Sequence, residues 1–400
     1  MKVSIIKGRA VGQIKAPPSK SYAHRLLICA GLAYGDSIIR GIDKNEDVLA
    51  TVDCLTALGA KVSLNGDTAA VSGCGGHIKY GQEMCCRESG STLRFMIPIS
   101  LLGGGGTFKG SERLISRGIG VYEKIFADFC NISSDTTSIS VNGTLRAGNY
   151  SIPGNISSQF ITGMLFALPL LECDSTVSII GDFESRAYVD MTLAVLEKSG
   201  IVIKKESATE FFVKGGQKYQ PIVADVEGDW SNAAFFYALN TLGGDVSICG
   251  LKSDSRQGDR VCLEYFERLK QKRAVLDMSD CPDLAPIMFA VAAAQNGAVF
   301  TGTKRLAIKE SNRATVMAEE LSKFGAHVIC EENRVEIIKT ALHRPTEVLC
   351  GHNDHRIVMA LAVLSTITGG DIDGAEAISK SYPGFFGDLS KTGIKVTYNE

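Results

Sequence analysis

The sequence lacks a charge excess of either sign, because its 400 residues carry 42 lysines and arginines against 44 aspartates and glutamates. A nucleic-acid-binding protein usually has a basic excess or a basic stripe, so this balance argues against that class. Any anion-binding site must therefore come from a local cluster of cations. The length is large for a single core and comfortable for two domains.

The sequence also lacks long apolar runs, because stretches such as residues 160–171 are too short to span a bilayer. Its start, MKVSIIKGRAVGQIKAPPSK, is interrupted by charges where a secretory signal has an apolar core. The twelve cysteines form no CxxC pair, so we interpret them as small buried residues in a reducing compartment. We therefore expect a cytoplasmic protein. No ligand spacing suggests a metal, and we expect no metal and no cofactor.

What the sequence does have is an internal repeat, in which a strand-like run ending in glycine occurs six times. Each run alternates apolar or β-branched residues with polar ones, a pattern that predicts a half-buried strand. The closing glycines are separated by 69, 71, 69, 52 and 72 residues, and they are Gly41, Gly110, Gly181, Gly250, Gly302 and Gly374.

Each run follows a long stretch that is apolar nearly all round, which predicts a buried helix. These stretches are HRLLICAGLA, STLRFMIPISLL, SQFITGMLFALPLL, SNAAFFYALNTL, PDLAPIMFAVAAA and DHRIVMALAVLSTI. A second glycine signal, in LGAKV, SGIVI, FGAHV and TGIKV, predicts helix C-caps just before strands. The glycines concerned are Gly59, Gly200, Gly325 and Gly393.

The repeats predict an α/β protein of two similar domains, each made of three α/β units with buried helices. The opening strand VSIIKG copies the repeated run, whereas the last unit, ending in GIKVTYNE, lacks a copy of its own. We therefore expect the N-terminal strand to close the C-terminal domain. The predicted domains are residues 1–18 with 227–400, and residues 19–226, with crossings near Pro17-Pro18 and near Glu227.

Polar, often charged clusters precede the buried helices: SKSYAHR, ESGSTLR, NISSQF, GDWSNAA, SDCPDLAP and GHNDHR. A helix N-terminus offers free N–H groups and a positive dipole end, which suit a carboxylate or phosphate. We interpret Asp229 and Ser231 as simple N-caps. Cations oppose the dipole, so their presence in the other clusters predicts an anionic ligand. These cations are Lys20, Arg25, Arg94 and Arg356.

The first of these clusters predicts a phosphate-binding group, because Ser21 and Arg25 share one helix face and Lys20 adjoins them. A nucleotide loop is not predicted, since the glycine run at 103–106 is followed by no GK[ST] sequence. A second dense cluster is KRLAIKESNR, residues 304–313, in which Lys309 and Arg313 lie one turn apart if the segment is helical. Composition alone leaves two interpretations of it open, a solvated charged turn or a site around Glu310.

In their order along the whole chain, the motifs resemble those of the enolpyruvyl transferases, specifically the shikimate branch of that family. The matching segments are PPSKSYAHR, ESGSTLRF, GSERLISRGIG, NISSQF, GDFESRAYVD, SRQGD, DCPDLAP, LAIKESNR, NDHR and ISKSYPGF. The resemblance implies two domains of three βαβαββ-type units, an inside-out α/β barrel type, with the active site in the cleft between them. It also implies a transferase that moves the enolpyruvyl group of phosphoenolpyruvate to the 5-hydroxyl of shikimate 3-phosphate and releases phosphate.

The resemblance also implies roles for individual residues, with Asp283 as general base, Glu310 as general acid and Lys20 in contact with both substrates. The implied shikimate 3-phosphate ligands are Lys20, Ser21, Arg25, Ser157, Ser158, Gln159, Ser185, Tyr188, Asp283 and Lys309. The implied phosphoenolpyruvate ligands are Lys20, Gly90, Arg117, Gln159, Arg313, His355, Arg356 and Lys380. The implied partners are these two small molecules, with no nucleic acid and no membrane, and we expect a monomer.

Two alternatives remain at this point. A sister enzyme transfers enolpyruvyl to UDP-N-acetylglucosamine, but its branch carries a reactive cysteine in the loop corresponding to residues 113–120 and a Lys-Asn pair in the first motif. Here that loop has no cysteine and the pair is Lys20-Ser21. The other alternative is a non-catalytic protein that binds phosphorylated metabolites, although simple binding would not require both Asp283 and Glu310.

The resemblance predicts sensitivity to the herbicide glyphosate, because Gly90 is retained where a bulkier residue would narrow the phosphoenolpyruvate pocket. Glu88 and Ser91 depart from the usual Asn and Thr of this segment, and Glu88 adds negative charge near an anion site. We expect glyphosate to inhibit the purified protein, as measured by phosphate release at increasing inhibitor concentration. A lack of effect at millimolar glyphosate would contradict the prediction.

Overall fold

The computed structural model describes residues 1–399. The chain divides into two compact units. The N-terminal unit contains residues 18–227, and the C-terminal unit contains residues 1–17 together with the chain from residue 228 onward. Each unit has its own hydrophobic core.

The N-terminal unit alternates short strands with helices. Its helices are α1 (Lys20–Leu32), α2 (Glu46–Leu58), α3 (Gly90–Ser100), α4 (Glu112–Ser116), α5 (Gly120–Ile125), α6 (Ser158–Ala167) and α7 (Arg186–Lys198). Its strands are β3 (Asp36–Arg40), β4 (Lys61–Asn65), β5 (Thr68–Ser72), β6 (Gln82–Arg87), β7 (Gly105–Gly110), β8 (Cys130–Ser134), β9 (Ser138–Gly143), β10 (Asn149–Pro153), β11 (Ser175–Ile180), β12 (Ile203–Lys205), β13 (Glu210–Val213) and β14 (Val223–Asp225).

The C-terminal unit follows the same alternation. Its helices are α8 (Trp230–Thr241), α9 (Cys262–Gln271), α10 (Ala285–Ala294), α11 (Arg313–Lys323), α12 (His355–Thr368) and α13 (Phe385–Lys391). Its strands are β1 (Lys2–Ile5), β2 (Val11–Lys15), β15 (Asp245–Cys249), β16 (Ala274–Asp277), β17 (Ala298–Thr301), β18 (His327–Glu331), β19 (Arg334–Ile338), β20 (Leu349–Cys350), β21 (Gly370–Asp373) and β22 (Val396–Asn399). This unit also contains short 3-10 turns at Gly258–Val261, Pro282–Leu284, Lys304–Ile308 and Ala375–Lys380.

One sheet pattern recurs five times in residues 1–399: a parallel pair is extended on one side by two antiparallel strands. The orders are β14-β3-β5-β4, β6-β7-β9-β8 and β10-β11-β13-β12 in the N-terminal unit, and β16-β17-β19-β18 and β20-β21-β1-β22 in the C-terminal unit. A helix connects the parallel strands wherever both belong to one stretch of chain, as a parallel crossover requires. The predicted mixed α/β class, with small sheets around buried helices, is confirmed.

Strands from distant parts of the chain complete the first and last repeats. The strand β14 pairs in parallel with β3, so the end of the N-terminal unit completes its first sheet. The strand β1 lies between β21 and β22 and is antiparallel to both. In the same unit β2 pairs in parallel with β15. The first seventeen residues thus supply strands to sheets formed by residues more than 200 positions later.

The sheet of β15 and β2 is smaller than the others, since within residues 1–399 it has two strands and no antiparallel hairpin. After β15 the chain forms α9 and then enters β16, the first strand of the next sheet. The missing hairpin explains the short spacing of 52 residues between Gly250 and Gly302, where the other spacings are 69 to 72. The six repeats are therefore not equivalent, which corrects the expectation of six matching units.

The predicted buried helices are confirmed. In α12, each residue from His355 to Thr366 is buried, and in α10 each residue except Ala294 is buried. Such helices cannot present a polar face to water, so their polar residues are confined to their ends. Other helices, such as α9 and α11, have one exposed face and cover the core from outside.

The closing glycines are explained by backbone geometry at the end of each repeated strand. Five of the six have φ between 67° and 86°, the left-handed region that glycine adopts without a Cβ clash. The exception is Gly110, which is the last residue of β7. The predicted C-cap glycines at 59, 200, 325 and 393 also have positive φ, so this prediction is confirmed. Among residues 1–399 no helix has both the length and the apolar character needed to cross a membrane.

A buried carboxyl group, that of Asp259, lies in the 3-10 turn before α9 and is 4% exposed. Burial and, after it, the negative charges of Asp283 and Asp229 raise its pKa to about 7, while Arg356 acts in the opposite direction. A carboxyl with a raised pKa is harder to ionise in the folded protein than in the unfolded chain. Its neutral form therefore favours folding at low pH.

We expect Ile5→Ala to lower the free energy of unfolding of the C-terminal unit by about 2–5 kcal/mol, the usual cost of truncating a buried isoleucine. Ile5 is 0% exposed in the middle of its sheet, whereas the neighbouring Ile6 is 42% exposed and supplies the control Ile6→Ala. Urea titration followed by Trp230 fluorescence reports on this unit, because Trp230 is the only tryptophan. Equal effects of the two substitutions would contradict the central position of β1.

We expect Asp259→Asn to remove a pH-dependent loss of stability. In the wild type, the contribution of neutral Asp259 to the free energy of unfolding is complete below the unfolded pKa of 3.8. It is lost as pH rises through about 7. The variant should therefore gain stability relative to the wild type across this window, by at most about 1.4 kcal/mol per pH unit. Urea titrations at several pH values measure this difference, with the exposed Asp254→Asn as control. A difference that does not vary with pH would contradict the prediction.

Candidate functional site

In the N-terminal unit the predicted Lys20 is the first residue of α1 and forms an ion pair with Asp47 in the first turn of α2. The Lys20 Nζ to Asp47 Oδ2 distance is 2.6 Å, and both side chains are mostly buried. A cation at the positive end of a helix dipole is unfavourable by itself. The Asp47 carboxylate therefore holds Lys20 in place.

Arg25 is almost fully buried, at 3% exposure, and donates three hydrogen bonds. Its acceptors are Ser21 O at 2.8 Å, Tyr188 O at 3.0 Å and Thr192 Oγ1 at 2.8 Å. These neutral oxygens orient the guanidinium without cancelling its charge. Burial lowers the Arg25 pKa to about 10, so the group stays positive at neutral pH and attracts an anion.

A second group in this unit brings together three of the predicted residues, Gly90, Arg117 and Gln159. A Cβ atom on Gly90 would lie 3.0 Å from both Arg117 Nη1 and Arg117 Nη2, so a side chain at this position would crowd the guanidinium. Arg94 Nη1 donates to Gln159 Oε1 at 2.7 Å, and Gln159 Nε2 donates to Ser91 Oγ at 2.9 Å. The N-termini of α3 and α6 are joined by this network.

A buried chain of hydrogen-bonded side chains, one histidine ring and three hydroxyl groups, connects α1, α2 and α3. His24 Nδ1 lies 2.6 Å from Thr51 Oγ1, Thr51 Oγ1 lies 2.8 Å from Thr92 Oγ1, and Thr92 donates to Ser89 Oγ at 2.8 Å. Ser89 is the N-cap of α3 and adjoins Gly90. Burial, with Lys20 and Arg25 nearby, lowers the pKa of His24 well below its usual value, so the ring is neutral.

The remaining predicted residues of this unit lie at the N-termini of α6 and α7. Ser157 is the N-cap of α6, and its hydroxyl accepts from the Gln159 N–H at 3.3 Å, with Ser158 following as the first helical residue. Ser185 is the N-cap of α7 and has a left-handed backbone, with φ 55° and ψ 37°. Such a conformation is strained for serine and is typical of functional sites. Tyr188 lies one turn later and accepts from Arg25.

In the C-terminal unit the predicted Asp283 is the common partner of three predicted cations. Its Oδ1 lies 2.8 Å from Arg313 Nη1 and 3.2 Å from Lys309 Nζ. Its Oδ2 lies 3.1 Å from Arg356 Nη2. Three cations therefore converge on this one carboxylate.

The centre of this arrangement is Arg313, which is 1% exposed and contacts three carboxylates. Besides Asp283 it reaches Glu310 Oε2 at 2.7 Å and Asp354 Oδ2 at 2.9 Å. Burial would lower the Arg313 pKa, but Asp354, Glu310 and Asp283 together raise it. Burial lowers the pKa of Lys309, against the opposing effect of Asp283.

The segment 304–313 is not one helix, so the condition under which Lys309 and Arg313 would lie one turn apart is not met. A 3-10 turn ends at Ile308, Lys309 is extended, and α11 begins only at Arg313 after the N-cap Asn312. The two cations meet because both bind Asp283, not because they share a helix face. The interpretation as a solvated turn is wrong, since Arg305 and Arg313 are buried.

Three further predicted residues lie near the N-terminus of α12. His355 and Arg356 are its first two residues, and both are buried. Lys380 ends a 3-10 turn and donates to Asn353 O at 2.6 Å.

Sequence reasoning missed Asp47 and Asp354 and named Arg94 only as a cation at a helix N-terminus. Asp354 is fully buried, caps α12 through the Arg356 N–H at 3.0 Å and also accepts from Ser311 Oγ at 3.0 Å. Its place directly before Arg356 in NDHR was the available signal. Asp47 offered no signal, because its partner is 27 positions away. Of the two expected N-caps only Asp229 is one, since Ser231 is the second residue of α8.

The chain resembles known proteins along nearly its full length. The profile of the EPSP synthase (3-phosphoshikimate 1-carboxyvinyltransferase) family matches residues 6–389. The 3-phosphoshikimate 1-carboxyvinyltransferase of Clostridium kluyveri is 38% identical, with 98% of each chain covered. That of Clostridium acetobutylicum is 39% identical, with 96% of this chain and 95% of the relative covered.

Solved structures agree on the fold. The 2.37 Å structure of EPSP synthase from Acinetobacter baumannii has a TM-score of 0.79 at 22% identity, and covers 99% of this chain and 100% of its own. A second structure of EPSP synthase from the same organism has a TM-score of 0.80 at 20% identity, with both chains fully covered. These matches, together with a family profile that spans nearly the whole chain, show that the protein belongs to the EPSP synthase family.

Proposed function

We propose that the protein transfers the carboxyvinyl group of phosphoenolpyruvate to the 5-hydroxyl of shikimate 3-phosphate and releases phosphate. The observation that carries this proposal is the cluster around Asp283, where the carboxylates of Asp283 and Glu310 both pair with the buried Arg313. A binding protein for anions would need the cations, but it would not need Asp283 and Glu310 among them. Family membership supports the same reaction.

Both substrates are anions, and the cations of the two units match them. In this proposal Arg25, Lys20 and the serines at the N-terminus of α6 bind shikimate 3-phosphate, together with Ser21, Gln159, Ser185 and Tyr188. Phosphoenolpyruvate is bound by Arg117, Arg313, Arg356 and Lys380, with Gly90 and His355 beside it. Arginine forks suit both its carboxylate and its phosphate because they donate two parallel hydrogen bonds. The two sets of residues thus serve one reaction.

Asp283 is the proposed base for the 5-hydroxyl proton. Its two oxygens lie 2.8 to 3.2 Å from nitrogen atoms of Lys309, Arg313 and Arg356. An incoming carboxylate or phosphate competes for these same cations. Substrate binding therefore releases Asp283 to accept the proton while the hydroxyl oxygen attacks C2 of phosphoenolpyruvate.

Glu310 is the proposed acid that protonates the methylene carbon. Its Oε2 lies 2.7 Å from Arg313 Nη2, which fixes the carboxyl next to the phosphoenolpyruvate ligands. Addition of the proton to C3 and of the hydroxyl oxygen to C2 gives a tetrahedral intermediate. Loss of a methyl proton and of phosphate then regenerates the double bond, so the product carries an enolpyruvyl ether and one phosphate is released.

The shikimate acceptor is favoured over UDP-N-acetylglucosamine by the first motif and by the loop at 113–120, which contains no cysteine. In the structure this segment contains most of α4, whose C-cap is Arg117, beside Gly90. We therefore propose that Arg117 binds phosphoenolpyruvate and that no covalent adduct forms in this loop. Monomeric state and cytoplasmic location stay predictions from the sequence.

The proposed reaction is tested by phosphate release with shikimate 3-phosphate and phosphoenolpyruvate, omitting each in turn. Release that requires both substrates supports the proposal. Release only when UDP-N-acetylglucosamine replaces shikimate 3-phosphate would assign the sister activity. Binding of both substrates by calorimetry without any release would indicate a non-catalytic protein.

We expect Asp283→Ala and Glu310→Ala each to lower kcat by about 10²–10⁴-fold, the range typical of general acid–base groups. Substrate binding, measured by calorimetry, should remain detectable because Arg25, Arg117 and Lys380 are untouched. The exposed carboxylate of Glu347 in the same unit supplies the control Glu347→Ala, which should keep full activity. Full activity in either site variant would overturn the role assigned to it.

A further inference from the structure

The turn that leads from β20 into α12 has an unusual backbone. His352 and Asn353 are consecutive non-glycine residues with left-handed backbones, at φ 46° and 52°. A histidine in this region is strained, and two such residues in succession persist only where surrounding contacts hold them. The adjoining residues, Asp354 and Arg356, belong to the proposed phosphoenolpyruvate-binding half of the site.

The contacts that hold the turn come from Glu320, a carboxylate with 0% exposure on α11. Its Oε2 accepts from the Cys350 N–H at 2.9 Å, and its Oε1 lies 2.9 Å from His352 Nε2. The carboxylate thus bonds both the backbone at the start of the turn and the side chain of its first left-handed residue. We name Glu320 and His352 the clasp.

The negative charge of Glu320 is balanced by a cation on the same helix, because Lys323 Nζ lies 2.8 Å from Glu320 Oε1, one turn later on α11. A buried carboxylate is stable only when it is paired and hydrogen-bonded, and here both oxygens have partners. Glu319, Glu320 and His352 also lie close enough to hold a metal ion. However, the Lys323 ammonium lies 2.8 Å from Glu320 Oε1, the same oxygen that contacts His352 Nε2.

The clasp acts on substrate-binding groups through the residues that follow it. The Asn353 carbonyl accepts from Lys380 Nζ at 2.6 Å. The Asp354 carboxylate accepts from Arg313 Nε at 2.9 Å and from the Arg356 N–H at 3.0 Å. The left-handed pair thus directly precedes Asp354, and its second residue supplies the carbonyl that Lys380 contacts.

We propose that Glu320 and His352 are positioning residues for phosphoenolpyruvate, acting through the 350–354 turn on Lys380, Arg313 and Arg356. The inference rests on the proposed function for the identity of the ligand. The mechanical part, that Glu320 holds the turn, stands independently of it. Neither residue touches the reacting groups, so loss of the clasp should weaken binding of one substrate rather than abolish chemistry.

The first test is steady-state kinetics of Glu320→Ala. We expect the KM for phosphoenolpyruvate to rise by about tenfold or more, because small displacements of positioned groups have effects of this size. The KM for shikimate 3-phosphate should change by less than about twofold, since most of its proposed ligands, including Arg25 and the α6 serines, are in the other unit. Glu320→Gln keeps an acceptor for the Cys350 N–H and should bring the KM for phosphoenolpyruvate most of the way back to the wild-type value. Equal increases in both KM values would overturn the proposal.

The variant His352→Asn tests the side-chain contact with Glu320 while allowing the left-handed backbone to persist. Asparagine tolerates the left-handed region better than histidine but is too short to reach Glu320. We expect it to raise the KM for phosphoenolpyruvate in the same direction as Glu320→Ala. The matched control is Glu319→Ala, which removes an exposed carboxylate from the same helix and should leave both KM values unchanged. A wild-type KM in His352→Asn would overturn the role of that side chain.

Hydrogen exchange tests the mechanical part without any substrate. Amides in the peptide 349–357 should exchange faster in Glu320→Ala than in the wild type or in Glu319→Ala. Unchanged exchange would overturn the clasp even if activity falls. Faster exchange in a protein that shows no enolpyruvyl transfer would keep the clasp and reject the proposed function. Stabilisation of the wild type by zinc chloride, lost in Glu319→Ala, would overturn the proposal in favour of a metal site.

Discussion

The placement of cations at the N-termini of buried helices is the constraint on which the rest of the structure depends. A lysine or arginine there faces a positive dipole end, so each must be compensated by a carboxylate or fixed by neutral acceptors. Asp47 does this for Lys20, and Asp283 and Asp354 do it for the cations of the other unit. Arg25 is fixed by neutral oxygens alone. The protein thereby stores positive charge in an ordered form that an anionic ligand can use.

The repeat architecture explains how so many helix ends are available. Each small sheet satisfies its own backbone hydrogen bonds and covers one side of a buried helix. The polar residues of these helices are consequently confined to their ends. In α12, Asp354, His355 and Arg356 precede an apolar run of more than two turns. The core and the candidate site are thus made by the same helices, the core by their length and the site by their first turns.

Much of the fold and of the candidate site could be predicted from the sequence, because glycine-terminated strands and all-apolar helices give strong local signals. The buried helices, the C-cap glycines and most of the cations were predicted from such signals. The contacts of Asp47 with Lys20 and of Glu320 with His352 were not, since they join residues 27 and 32 positions apart. The sequence left the segment 304–313 open between a solvated turn and a site, because the burial of Arg313 and the shared Asp283 carboxylate are not visible in its composition. Pairing across distant segments is decided by tertiary packing, which spacing does not encode.

The strands supplied by the first seventeen residues have a consequence for synthesis on the ribosome. β1 and β2 are made before the N-terminal unit, but their partners β15, β21 and β22 are made only after the whole of it. At ~5–20 residues per second, the stretch beyond residue 227 takes roughly ten to thirty seconds to translate. During that interval residues 18–227 have all their strands, including β14, and can fold. The nascent N-terminus must meanwhile stay unpaired, with Val3 and Ile5 in contact with water, and is a natural target for chaperones that bind exposed apolar strands.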